Sequence, residues 1–152
     1  MDGRSHSSRD WLKQFWSGFS ADIPKAWRVC GENLYAKHSI GYSALPSFFL
    51  GFSVWNERNI CLPWDETLEW FQLLGITPVP VVYDGIFDEK KIRALWDPDR
   101  WESVEGYVLR VADEIPYGDF RKKIAKFVRK NHVQTVKHWM HGQAITKNLL
   151  RS

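Results

Sequence analysis

The sequence predicts an α+β fold, mostly antiparallel sheets with flanking helices. Three observations predict it. Segments of helical periodicity alternate with short β-branched and aromatic runs, without the regular strand–helix–strand rhythm of a doubly wound sheet. Glycine and proline punctuate these segments instead of gathering into a linker, and neither an internal repeat nor a low-complexity stretch is visible. At 152 residues, 44% hydrophobic and 26% charged, the chain has the size and composition of one packed unit, so residues 1–152 read as a single domain.

Taken in order, Ser8 is placed to cap a first helix in which Trp11, Phe15 and Phe19, with Leu12 and Trp16, recur at four-residue spacing until Pro24 stops it. Residues 27–30 read as a short strand that runs into the polar segment Gly31-Glu32-Asn33-Leu34-Tyr35-Ala36-Lys37-His38. Residues 48–55 are almost continuously apolar, β-branched and aromatic, as in a strand buried on at least one face. Pro63 and Asp65 open a second helix with Trp64, Leu68, Phe71 and Leu74 on one face, and Gly75 stands where a C-terminal cap belongs. A strand over 78–83 with a turn at Asp84-Gly85, a short helix over 88–96, and a strand over 104–111 follow. Residues 119–130 carry two periodicities at once: Phe120, Ile124 and Phe127 have helical spacing, whereas Ile124, Lys126 and Val128 alternate against Ala125, Phe127 and Arg129. Residues 132–140 read as a terminal helix and the last residues as frayed.

The aromatic content is the unusual part of the composition, with 9 Trp, 9 Phe and 5 Tyr. Such rings fill cores, and they also stack on purines and nucleic-acid bases. Most of the tryptophans, Trp55, Trp64, Trp70, Trp96, Trp101 and Trp139, are assigned to the core. A net charge of +3 is compatible with a polyanionic partner and excludes a histone-like binder. Two cysteines, Cys30 and Cys61, make no disulfide scaffold and match no zinc-ligand spacing. With a polar N-terminus and no run of about 18 apolar residues, the expectation is a reduced, cytoplasmic protein with no membrane span.

Four segments set charged or polar groups among apolar, strand-like neighbours, where a charge is costly unless something pairs with it. These are Gly31-Glu32-Asn33, residues 48–55, Glu105-Gly106-Tyr107-Val108-Leu109-Arg110, and Lys126-Phe127-Val128-Arg129-Lys130. Together they supply an acceptor for ribose hydroxyls, a flat face for a purine, a carboxylate for a divalent metal and cations for phosphate. The run Arg121, Lys122, Lys123, Lys126, Arg129, Lys130 is otherwise a solvated basic face, in which Lys126 and Arg129 stand apart through their apolar neighbours. His132, His138 and His141 are too loosely spaced, and too poor in partners, for a metal site.

Spelled out, Gly31-Glu32-Asn33-Leu34-Tyr35-Ala36-Lys37-His38-Ser39-Ile40, Phe49-Leu50-Gly51-Phe52-Ser53-Val54-Trp55, Glu105-Gly106-Tyr107-Val108-Leu109-Arg110 and Lys126-Phe127-Val128-Arg129 resemble, in that order, nucleotidyltransferase motifs III, IIIa, IV and V of the ATP-dependent RNA ligase family. The resemblance implies a partial nucleotidyltransferase, ATP-grasp-like domain using ATP and Mg²⁺. Its reaction moves AMP from ATP to a lysine, then to an RNA 5′-phosphate, and an RNA 3′-hydroxyl displaces the AMP to seal the strand. By position it implies that Glu32 accepts a hydrogen bond from the ribose and that Phe52, or Phe49 on the opposite face of the same strand, stacks on adenine. It further implies that Glu105 helps to bind Mg²⁺ and that Lys126, with Arg129 or Lys130, contacts the α-phosphate. Lys37 and His38 are candidates for substrate phosphate. The resemblance also favours a strand at 126–129.

The family's nucleophile lies in a Lys-x-Asp-Gly motif, which is absent from these 152 residues: Asp84-Gly85 is preceded by Val82 at the lysine position. The expectation is a chain that begins downstream of the nucleophile, as a fragment, a truncated product or one part of a split ligase that needs an N-terminal segment. A non-catalytic nucleotide- or RNA-binding remnant is the alternative.

Overall fold

A computed structural model describes residues 7–36, 41–42, 44–97, 99, 104–128 and 147–152. Within them the fold is α+β, as expected. A five-stranded sheet carries helices on one face, and a two-stranded ribbon lies against the other.

Helix α1 (Ser7–Ser17) is amphipathic. Trp11 and Phe15 stack at 5.1 Å, and Phe15 meets the buried Phe19, beyond the helix end, edge to face at 5.1 Å. The helix stops at Ser17 rather than reaching Pro24; a 3-10 turn at Ser20–Asp22 fills the interval. Ser8 is not the cap either. It is buried inside the helix, and its hydroxyl accepts a hydrogen bond from Asn33 Nδ2 at 3.0 Å, which ties α1 to the end of the first strand.

Strand β1 (Arg28–Asn33) continues through the polar Gly31-Glu32-Asn33 segment and pairs antiparallel with β2 (Phe49–Trp55). On the other edge of β2, β3 (Ile60–Cys61) pairs antiparallel at Trp55, and β4 (Thr77–Pro78) runs parallel at Leu50 and Gly51. The turn between β2 and β3 is held by Asn56, whose side-chain oxygen accepts from the amides of Arg58 and Ile60 at 3.0 and 3.2 Å. Helix α2 (Trp64–Leu74) buries Thr67, Phe71 and Leu74 against the sheet and ends at Gly75, whose φ of 69° is the left-handed cap that glycine adopts without strain.

The expected strand over 78–83 shrinks to Thr77–Pro78. Pro78 and Pro80 lack amide donors, so a ladder does not propagate past them, and Val81 and Val82 remain exposed. Helix α3 (Glu89–Ala94) follows, with Asp88 as its N-cap: the carboxylate accepts from Lys91 N at 3.1 Å. Asp88→Ala is expected to cost about 1 kcal/mol, and thermal unfolding of the variant measures it.

The second sheet is the ribbon of β5 (Gly106–Arg110) and β7 (Ile124–Val128). Between them β6 (Ile115–Pro116) pairs with β3, and a 3-10 turn at Tyr117–Asp119 leads into α4 (Phe120–Lys123). Residues 120–128 are thus a single helical turn and then a strand: of the helically spaced Phe120, Ile124 and Phe127 only Phe120 lies in the helix, and the alternation of Ile124, Lys126 and Val128 is the periodicity the structure follows. The helix expected over 132–140 lies outside the described residues. At the C-terminus the expectation of fraying is corrected. Lys147 bridges Ala36 and Leu150 bridges Leu45, while Asn148 is 1% exposed, its Nδ2 donating to Leu34 O and Ala36 O and its Oδ1 accepting from Tyr42 N.

Among the described residues three clusters make the core. Phe19, Val54, Leu62, Phe71, Leu74 and Ile76 lie between the sheet and α1 and α2. Leu34, Leu45, Phe48 and Leu50 form a second group, and Trp55, Cys61 and Ile115, packed by Cys30, Phe120 and Ile124, a third.

Candidate functional site

The candidate residues lie on two surfaces, one on β1 and β2, the other on the β5–β7 ribbon, which packs against the Trp55 cluster of the larger sheet through Ile124. The β1–β2 register slips by one residue: Cys30 pairs with Ser53 but Gly31 with Gly51, so Phe52 is the extra residue of a β-bulge. The bulge resolves which phenylalanine faces which way. A Cβ placed on Gly31 would lie 2.3 Å from Phe49 Cζ, so the Phe49 ring covers Gly31, and it sits 5.4 Å from Phe15 of α1 in the helix-covered core. Gly51 faces the same way, since a Cβ there would lie 2.6 Å from Phe71 Cζ of α2.

Successive residues of a strand alternate faces. Glu32, next to Gly31, and Phe52, next to Gly51, therefore turn to the far face, away from the helices. Both are exposed, Phe52 by 43%. Arg28 and Cys30 share that face. Cys30 packs with Trp55 and Cys61, and the Arg28 guanidinium lies 4.5 Å from the Trp55 ring centroid.

The ribbon turns its Arg110–Ile124 face toward this surface. Ile124 packs on the Trp55 cluster, and Arg110 donates to Cys61 Sγ at 3.5 Å and to Leu62 O at 3.1 Å. Cross-strand partners share a face. Arg110 is paired with Ile124 and Val108 with Lys126, so the exposed Lys126 points to the same side of the ribbon as Arg110. The reverse side is aromatic, with Tyr107 stacked on Phe127 at 5.0 Å and Trp96 edge-on to Phe127 at 5.0 Å. Half-buried Glu105 stands immediately before Gly106, at the end of β5 that pairs with Val128.

Burial pushes the Cys61 thiol above its usual range, with the Arg110 charge pulling the other way. The contact is thus one of a guanidinium with a neutral thiol. Among the described residues no three His, Cys, Asp or Glu side chains gather as a metal cluster. Magnesium is commonly held by only one or two carboxylates with water and phosphate oxygens completing its shell, and Glu105 is the carboxylate the sequence singles out for it. An open depression lined by Tyr83, Asp84, Gly85, Ile86, Phe87, Asp88 and Lys91 shares no residue with this site.

Of the residues singled out in the sequence, Glu32 and Phe52 come together on one sheet face, Lys126 lies on the ribbon side turned toward that sheet, and Phe49 lies in the core. Arg129, Lys130, Lys37, His38, His132, His138 and His141 fall outside the described residues, as do Trp101 and Trp139. Trp55 is buried, whereas Trp64, Trp70 and Trp96 are half-buried. Sequence reasoning missed Asn148 and the Arg28–Trp55 stack, both made by contacts between distant segments with no local signal. No helix among the described residues is long and apolar enough to cross a membrane.

A sequence model of one family, described as RNA ligase, matches residues 2–128. No curated protein matches the chain, and no solved structure does.

Proposed function

Since this chain belongs to the RNA ligase family, we propose that its two surfaces form the nucleotide-binding part of an ATP-dependent RNA ligase site, acting on RNA ends that carry a 5′-phosphate and a 3′-hydroxyl. The observation that carries the reading is the pairing of a carboxylate and an exposed ring on one sheet face, Glu32 and Phe52, with a cation on the ribbon side turned toward it, Lys126. In this reading Glu32 accepts a hydrogen bond from a ribose hydroxyl, and Phe52 stacks on adenine. Phe49, with its ring covering Gly31, keeps a packing role.

Lys126, with Arg129 or Lys130, meets the α-phosphate and offsets the negative charge that spreads over its oxygens as the phosphoryl bond breaks. Glu105 is the residue that would hold Mg²⁺; when bound, the ion would supply neutralisation of phosphate charge and favour a deprotonated lysine nucleophile. The 152 residues contain no Lys-x-Asp-Gly, so the lysine that receives AMP has no counterpart at that motif, and we propose that this chain does not adenylylate itself.

Incubation with labelled ATP and Mg²⁺ tests this. The expected result is reversible ATP binding without an acid-stable protein–AMP adduct. Loss of the charged hydrogen bond in Glu32→Ala is expected to weaken ATP binding about 10- to 100-fold, and Lys126→Ala to weaken ATP more than adenosine. A robust adduct would show that another lysine serves, and ATP affinity untouched by either substitution would remove the site. The missing motif also favours a second reading, a nucleotide- or RNA-binding protein without ligation. It is supported if binding persists but no sealing occurs beside a complementing Lys-x-Asp-Gly segment.

A further inference from the structure

We propose that Arg110 is a positioning residue that sets the spacing between the two halves of the nucleotide site, an inference that rests on the function proposed above. The halves belong to different sheets. Glu32 and Phe52 sit on the five-stranded sheet and Lys126 on the two-stranded ribbon, and among the described residues no strand of the ribbon pairs with the larger sheet. Their separation is therefore set by the short link from β5 to β6, anchored where Ala112 O accepts from Trp64 N at 2.8 Å, and by the side chains that lie between the two sheets. Ile124 and Phe120 contribute apolar packing on the Trp55 cluster, which is non-directional and tolerates sliding.

Among the side chains, Arg110 supplies direction. Its guanidinium donates through Nη1 to Cys61 Sγ at 3.5 Å and through Nη2 to Leu62 O at 3.1 Å, both at the end of β3, and through Nε to Val111 O at 3.0 Å. Its Cζ also lies 5.8 Å from the centroid of Trp64, the first residue of α2. A planar fork with several fixed donors holds an orientation that a single ammonium does not. Arg110 is paired with Ile124, and Lys126 lies two residues further along β7, on the same side of the ribbon. A change in how Arg110 seats on Cys61 and Leu62 thus moves Lys126 relative to Glu32 and Phe52 without altering either of those residues.

The consequence is a split between two affinities. Adenosine engages only the sheet half, whereas ATP engages both. Calorimetric titration of the full chain with adenosine and with ATP, both with Mg²⁺, is expected to give Arg110→Met an adenosine Kd within twofold of wild type and an ATP Kd raised at least tenfold. Arg110→Lys, which keeps the charge near Trp64 but loses the fork, is expected to fall between the two. Adding Lys126→Ala to Arg110→Met should raise the ATP Kd by much less than Lys126→Ala does alone, because the misplaced ammonium already contributes little.

Equal loss of adenosine and ATP in both Arg110 variants overturns the proposal in favour of a merely structural arginine, as does an ATP Kd that neither variant changes. A wild-type chain that binds neither ligand overturns the proposed function and this inference with it. Wild-type binding of both ligands with no adenosine–ATP split in the variants overturns this inference alone.

Discussion

Gly106→Ala is expected to separate β5 from β7 and to lower the unfolding temperature by about 6–12 °C, the shift that about 3 kcal/mol produces in a chain of this size. A Cβ at position 106 would lie 1.9 Å from the Phe127 carbonyl oxygen, 2.9 Å from its carbon and 3.0 Å from Val128 Cα. Those atoms are backbone, so no rotamer change makes room. The ribbon must open at the Gly106–Val128 pair, and with it goes the seating of Lys126. Nucleotide binding should therefore fall together with stability, and the fall should be larger for ATP than for adenosine. Scanning calorimetry and ATP titration read the two effects. An unfolding temperature within a degree of wild type would mean that β7 does not approach β5 as described. The same approach explains why a glycine follows Glu105 in a strand whose other residues all carry large side chains.

Asn148→Ala is expected to destabilise the fold by about 3 kcal/mol. Its side chain satisfies three backbone groups, Leu34 O, Ala36 O and Tyr42 N, at 2.8, 3.2 and 2.9 Å, and it does so while 1% exposed. Alanine would leave them without that partner in a place water reaches poorly, at a cost of about 1–3 kcal/mol for each group that finds no substitute. Urea denaturation measures the loss through the midpoint at unchanged slope. Lys147→Ala is the internal comparison. It removes a cation lying 5.0 Å from the Tyr35 ring and 4.9 Å from the Phe48 ring, an exposed interaction of about 0.5–1 kcal/mol. A larger loss in Lys147→Ala than in Asn148→Ala would refute the account of the C-terminal segment.

These two predictions mark where the sequence was readable and where it was not. Local chemistry was legible: Gly75 closes α2, and α3 begins at the aspartate expected to open it. The alternation of Ile124, Lys126 and Val128 against Ala125 and Phe127 is that of β7, and of the residues at the competing helical spacing only Phe120 lies in the preceding turn at Phe120–Lys123. What failed was non-local. Nothing in residues 147–152 announces that Asn148 reaches back more than a hundred positions to Leu34 and Ala36. The valines after Pro78 have strand composition, yet two prolines remove the amides that a ladder requires.

At the candidate site the residue types were legible and their directions were not. Glu32, Phe52 and Lys126 could be picked out as chemistry-bearing groups among apolar neighbours. Choosing between Phe49 and Phe52 required the pairing register, because strict alternation through residues 49–55 would have assigned Val54 to the wrong side. The tether through Arg110 was hidden for a related reason: an arginine in a strand pattern shows neither what it will grip nor that its targets will be a thiol and a carbonyl of another sheet.

The bulge at Phe52 makes β2 a strand with two reading frames. Before it the odd-numbered residues Phe49 and Gly51 look toward the helices, and after it the even-numbered Val54 does. Removing Phe52 would close the bulge, with Ser53 following Gly51 in regular register opposite Cys30 and Val54 still turned toward the helices, so the apolar pattern on both sides of the bulge would be kept. What the bulge supplies is thus one additional side chain, the exposed Phe52 ring, on the far face of β2, without changing which residues the helices cover on either side of it.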